Sequence, residues 1–170
     1  MTSFAKSIAA ERPEEIALRD PRQALTWLDV DNVLNRAANA IRLAETGPDL
    51  RIAVFAENGV ETALANLGGL IGGASVVPIN FHLTAEEVAY ILSDSGARMV
   101  FLGPETAERG LEAAALAGID QIIGWRCEIP GLKSWSEWLA ASSPEEPDTS
   151  IPPRPNLLYT SGTTGRPKGT

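Results

Sequence analysis

Thiols and imidazoles are almost absent from this chain: its 170 residues include one cysteine, Cys127, and one histidine, His82. A single thiol forms no intrachain disulfide, so nothing in the cysteine usage marks the chain as secreted. One thiol and one imidazole also cannot assemble a zinc site, so no metal ligands are assigned. No Gly-x-Ser-x-Gly elbow occurs, which excludes that serine-hydrolase arrangement, and His82 reads as a loop residue after Asn80-Phe81 rather than a catalyst. Basic residues are also scarce. Fourteen Lys and Arg stand against 22 Asp and Glu, a net charge of −8, which argues against nucleic acid as a partner and against anionic membrane surfaces. Long uninterrupted apolar runs are missing. Residues 62–85 contain no Asp, Glu, Lys or Arg, but Asn66, Gly68, Gly69, Gly72, Gly73, Pro78 and Asn80 interrupt them. The pattern there also changes from helical to strand-like, unlike a transmembrane segment. Met1-Thr2-Ser3-Phe4-Ala5-Lys6 lacks the apolar core of a signal peptide, which leaves a cytoplasmic location as the expectation.

What remains is the composition of a folded α/β protein, 44% hydrophobic and 21% charged. Short apolar runs at 52–55, 74–79, 99–102 and 121–123 read as buried parallel strands, apolar on both faces. Between them lie stripes of helical period: Val60, Ala63, Leu64, Leu67, Leu70 and Ile71, then Val88, Ile91 and Leu92. Thr84-Ala85-Glu86-Glu87 is a capping box opening the second of these helices, which stops near Gly96. This alternation predicts a layered, parallel-rich sheet with flanking helices. Upstream, Thr26 reads as the N-cap of a long helix carrying Leu28, Val33, Leu34, Ala37, Ala38 and Ile41. Residues 15–19 and 23–26 form a hairpin around the turn signal Asp20-Pro21. The glycine pairs Gly68-Gly69 and Gly72-Gly73 follow a helical stripe and precede a strand, the reverse of a dinucleotide fingerprint. Close helix-sheet packing and a helix end account for them.

Trp135, Trp138 and Leu139 share a face of a short helix and read as core. Residues 142–156 hold five prolines, Pro144, Pro147, Pro152, Pro153 and Pro155, too many for regular structure. The expected organisation is an α/β region over 1–141, an exposed connector over 142–156, and a strand with its loop over 157–170.

That last segment runs Tyr159-Thr160-Ser161-Gly162-Thr163-Thr164-Gly165-Arg166-Pro167-Lys168-Gly169-Thr170. Glycines let the backbone approach an anion closely, so that successive N–H groups converge on phosphate oxygens. Thr160, Ser161, Thr163 and Thr164 add rotatable donors, and Lys168 adds a point charge. In so acidic a chain a bound anion must be neutralised locally, with Mg²⁺ sharing its charge. A Walker loop is excluded, because its lysine precedes Ser or Thr and opens a helix. Here Lys168 lies between Pro167, which has no N–H, and Gly169.

The order Thr-Ser-Gly-Thr-Thr-Gly-x-Pro-Lys-Gly resembles the signature loop of the adenylate-forming, AMP-binding superfamily. Its members include acyl-CoA synthetases, aryl-CoA ligases and the adenylation domains of peptide synthetases. Arg12-Pro13, Ile16 to Arg19, Ala24 to Trp27, Asn35 to Ala38, Arg51 to Asn58 and Val76 to Ala97 are similar to the upstream part of acyl-CoA synthetases. The resemblance implies the N-terminal part of a larger fold and a two-step reaction. A carboxylate, on this resemblance a fatty acid, attacks the α-phosphate of MgATP; the thiol of CoA then displaces AMP. By analogy Thr160, Ser161, Gly162, Thr163, Thr164, Gly165 and Lys168 hold the β and γ phosphates, with Lys168 the catalytic group stabilising the departing pyrophosphate. Arg166 falls where the family varies and reads as a solvated loop charge. The family's adenine, ribose and Mg²⁺ contacts and its mobile C-terminal domain come after this loop, so the 170 residues alone are not expected to complete catalysis. Two other readings share these residues: an aryl- or amino-acid-adenylating enzyme, since the loop touches only phosphate, and a non-catalytic α/β module that binds a nucleotide or a partner.

Overall fold

A computed structural model describes residues 4–44, 49–130, 132–148, 150–152, 154–160 and 168–169. The chain opens with α1 (Phe4–Glu11), followed by a hairpin of β1 (Ile16–Arg19) and β2 (Ala24–Thr26). Next come α2 (Trp27–Leu43), β3 (Arg51–Phe55), α3 (Val60–Ile71), β4 (Ser75–Ile79), α4 (Ala85–Ser95), β5 (Met99–Leu102), α5 (Ala107–Ala117) and β6 (Gln121–Gly124). Last are β7 (Lys133–Ser134), α6 (Trp135–Ala140), β8 (Tyr159–Thr160) and β9 (Lys168–Gly169).

Local chemistry sets the helix starts. Thr26 and Thr84 each accept a hydrogen bond from the backbone N–H three residues on, while Asp29 and Glu87 reach back to the cap N–H. Both are capping boxes, which satisfy donors that a helix start leaves unpaired. The second helix ends at Gly96 with φ 68°, a left-handed residue that glycine adopts without strain.

Strands β3 to β7 form one parallel sheet in the order β4-β3-β5-β6-β7. The alternation of side chains along β3 divides the core in two. Ile52 and Val54 join Phe101 of β5 under α1, α2, α3 and α6, whereas Ala53 and Phe55 join Val100 and Leu102 under α4 and α5. Phe101 is fully buried and meets Trp135 and Trp138 edge-on at centroid distances of 5.9 and 5.2 Å. The tryptophans are therefore core, as their spacing indicates.

The glycine pairs mark close packing. A Cβ on Gly69 would lie 2.5 Å from Ile52 Cδ1 and 2.7 Å from Val76 Cγ2, so α3 sits on the sheet at a distance that excludes any side chain. A Cβ on Gly68 would lie 2.6 Å from the Cβ of Ala37 on α2.

Some elements depart from expectation. Leu28 is 54% exposed, because the buried face of α2 runs through Val30, Leu34, Ala37, Ala38 and Ile41 instead. Helix α1 and strand β7 carry no pattern that announced them. The connector has no regular structure among its described residues, but it is not a free exposed strand of chain. Arg36 donates to Ser142 O at 2.6 Å, and Asn39 donates to Ser143 O and Glu145 O, both at 3.0 Å. Ser142 and Pro147 are buried, and Lys6 forms an ion pair with Glu146.

Among the described residues, strand β4 is an edge of the sheet. Ser75 N–H donates inward to Leu50 O and Val76 O accepts from Leu157 N–H at 2.9 Å, so Val76 and Pro78, two residues apart, both present their backbone outward. Proline at that position costs no ladder hydrogen bond.

Candidate functional site

The loop sequence is carried by an antiparallel hairpin. Tyr159 pairs with Gly169, and Thr160 pairs with Lys168. Two of the proposed phosphate ligands, at opposite ends of the loop, are thus cross-strand neighbours. Thr160 is exposed. Ser161, Gly162, Thr163, Thr164 and Gly165, together with the side chain of Lys168, lie outside the described residues.

The hairpin is held from its base. Leu157 N–H donates to Val76 O on the sheet edge, and Ser75 Oγ donates to Pro155 O at 2.7 Å. Leu157 and Tyr159 pack against the core beneath α4 and α5, whereas Leu158 between them is half exposed. The hydroxyl of Tyr159 donates to Asp94 Oδ2, in the last turn of α4, at 2.7 Å. Partial burial first, and the Asp94 carboxylate second, push the Tyr159 hydroxyl well above the ordinary tyrosine range, so it remains a donor. A Cβ on Gly169 would lie 3.2 Å from Tyr159 Cζ and 3.3 Å from its Oη. Glycine thus lets β9 lie against the tyrosine ring.

The sheet has a second place where ligands gather in α/β proteins, the switch point outside the strand C-termini. Here it falls between β3 and β5, since β4 lies on one side of β3 and β5 on the other. The chain's own polar groups bridge it. Thr106, with no exposed surface, donates to Phe55 O at 2.5 Å and receives the Gly103 N–H, while Glu57 N–H donates to Glu105 Oε1 at 2.6 Å. Nearby, Asp20 of the β1–β2 turn accepts from the N–H groups of Arg22, Gln23 and Val60. It caps α3 from a distance, and those hydrogen bonds hold its carboxyl below the usual range. Arg126 pairs with Glu61 at 3.2 Å. Burial, and the Glu105 charge after it, raise the Cys127 thiol above its ordinary value, which makes it a poor nucleophile.

His82 is exposed in the turn before α4, its backbone N–H donates to Asn80 Oδ1, and its ring lies 4.0 Å from that of Phe81. It is a loop residue, as read from the sequence. Among the described residues no group of three or more His, Cys, Asp or Glu is placed to hold a metal ion, and no helix is long and apolar enough to cross a membrane. Asp94 escaped the sequence reading, and Asp20 was read only as part of a turn; their contacts with segments 65 and 40 residues away carry no local pattern that marks them.

Known proteins share both the sequence and this architecture. The chain is 35% identical over 147 residues to the long-chain-fatty-acid–CoA ligase FadD13 of Mycobacterium tuberculosis, covering 85% of this chain and 29% of that protein. It is 29% identical over 157 residues to tyrocidine synthase 3 of Brevibacillus parabrevis, covering 92% of this chain and 2% of that one. Among solved structures, a benzoate CoA ligase from Burkholderia xenovorans LB400 superposes with a TM-score of 0.84 at 25% identity, over 99% of this chain and 33% of the other. The chain therefore spans less than a third of the length of these relatives. The profile of the AMP-binding enzyme family matches residues 5–170, from the second residue of α1 onward, and on that match the chain belongs to this family.

Proposed function

We propose that the chain is the N-terminal portion of an ATP-dependent ligase that converts a carboxylic acid, a fatty acid in the first instance, into an acyl-adenylate and then an acyl-CoA thioester. The observation that carries this reading is the hairpin register: Thr160 opposite Lys168 closes a loop rich in hydroxyls and glycines at its base. In this reading residues 1–141 form the α/β region, 142–156 the connector, and 157–170 the strand and phosphate-binding loop. One carboxylate oxygen attacks the α-phosphorus of ATP as the bond to the β-phosphate oxygen breaks, giving acyl-AMP and pyrophosphate. The sulfur of CoA then attacks the acyl carbon, its proton is lost, and AMP departs.

Thr160, Ser161, Gly162, Thr163, Thr164, Gly165 and Lys168 act on the first step. They bind the β and γ phosphates and stabilise the charge that collects on the leaving pyrophosphate. Mg²⁺ accompanies the nucleotide and offsets part of its charge.

The test is ATP–pyrophosphate exchange by the complete gene product against a panel of fatty, aryl and amino acids. Lys168→Ala is expected to slow exchange by about 10²–10³, as for loss of one preorganised donor; an unchanged rate overturns the assigned role. A second reading, activation of an aryl or amino acid, is supported by the similarity to the benzoate CoA ligase and to tyrocidine synthase 3. Exchange dependent only on such acids selects it.

A further inference from the structure

The phosphate hairpin has little of its own to hold it in place. Each strand contributes two residues to the pairing, and an isolated two-stranded hairpin is marginal in water. Among the described residues, its backbone is joined to the large sheet by the hydrogen bond from Leu157 to Val76. Side-chain contacts at the base of the hairpin therefore matter to how its strands are held.

Tyr159 is placed to hold both strands. The residue stands immediately before the loop, and its ring is half-buried against the core beneath α4 and α5. Gly169, its cross-strand partner immediately after Lys168, lies close against the same ring, where a Cβ would come within 3.2 Å of Tyr159 Cζ and 3.3 Å of its Oη. One aromatic ring thus touches both strands that frame the loop. Its hydroxyl, at the far end, is fixed to Asp94 at 2.7 Å. Asp94 lies in the last turn of α4, a helix whose start is fixed by the Thr84 capping box and whose end is fixed by Gly96. That helix packs through Val88, Ile91 and Leu92, all essentially fully buried. The path from rigid core to loop runs α4, Asp94, Tyr159, Gly169, Lys168.

We infer that Tyr159 is a positioning residue for the phosphate loop and that Asp94 sets its register, the two together holding the backbone of Thr160 and Lys168 where a polyphosphate needs them. This rests on the reading of the loop as an ATP site. Neither residue touches substrate. Their contribution is to remove, before the nucleotide arrives, the freedom that binding would otherwise have to remove.

Two measurements on the complete gene product separate this inference from the reading beneath it. The first is backbone amide exchange over residues 157–160 and 168–169. The second is affinity for MgATP by calorimetry, with the KM for ATP against kcat in pyrophosphate exchange. Asp94→Ala and Tyr159→Phe are each expected to accelerate exchange in those segments while amides of β3 and β5 keep wild-type protection. Each should also weaken MgATP binding about tenfold, the scale of one charge-assisted hydrogen bond, with the loss in KM rather than kcat. Asp94→Asn, which keeps an acceptor oxygen, should recover most of the affinity, and Ser93→Ala should change neither readout. Wild-type exchange and affinity in Asp94→Ala would overturn the inference, as would faster exchange spread evenly over the sheet, which is the mark of a merely structural role. Should the wild-type protein fail to bind MgATP while the amide pattern responds as described, the reading as an ATP site falls and the anchoring stands.

Discussion

The central sheet and the β8–β9 hairpin are built on opposite terms. In the sheet, β3 is paired along its length on both sides and sealed on both faces, with Ile52, Ala53 and Phe55 wholly buried. In the hairpin, two-residue strands pair only with each other, and Thr160 stands exposed. The sheet carries apolar mass and few functional groups; the hairpin carries hydroxyls, glycines and a lysine, and almost no mass. Precision in the second must come from the sheet and the helices packed on it, through such contacts as Leu157 to Val76, Pro155 to Ser75, and Tyr159 to Asp94 of α4.

Substitutions in the sheet should therefore lower global stability, whereas those in the hairpin should cost activity alone. The largest effect is expected from Phe101→Ala, which removes a buried ring that meets both Trp135 and Trp138 edge-on. It should cost about 3–5 kcal/mol, read as a shift in the urea midpoint. Lys168→Ala, by contrast, should leave that midpoint unchanged; a shared loss would dissolve the distinction between the two regions. A smaller effect is expected from Gly69→Ala, whose methyl would overlap Ile52 and Val76, at roughly 1–3 kcal/mol for overpacking. Recovery by a second change, Val76→Ala, would show that the steric reading is right.

The smallest effect belongs to Asp20→Asn. The carboxyl of Asp20 is held below its ordinary value of 3.8 by hydrogen bonds from the backbone of Arg22 and Val60. Its contribution is thus fully present above that value and is lost as the pH falls through the lowered one. A plot of Tm against pH should show wild type above the variant near neutrality, the two converging in acid. Parallel curves would deny Asp20 its part in capping α3.

The sequence disclosed what depends on neighbours along the chain. Apolar runs at 52–55 and 99–102 announced the buried strands, and the N-cap at Thr26 and the capping box at Thr84 announced the helices they open. Long-range polar contacts were hidden, because nothing near Asp94 signals Tyr159 and nothing near Asp20 signals Val60. Helix α1 was missed for a related reason: of its eight residues only Ala5 and Ala9 are buried, too short a stripe to show a period. Of the candidate site, residue types and order were legible. Its frame at Tyr159 and Gly169 emerged only from the fold.

Proline on the outer rim of β4 has a consequence of another kind. An edge strand invites foreign strands to add to it, and proteins answer with devices that break the invitation. Along this rim, the carbonyl of Val76 is already taken by Leu157, and two residues further Pro78 offers no N–H. A stray strand from another molecule would meet an occupied acceptor followed by a missing donor. The same short stretch of backbone that docks the hairpin thus also leaves little for a foreign strand to pair with along this side of the sheet.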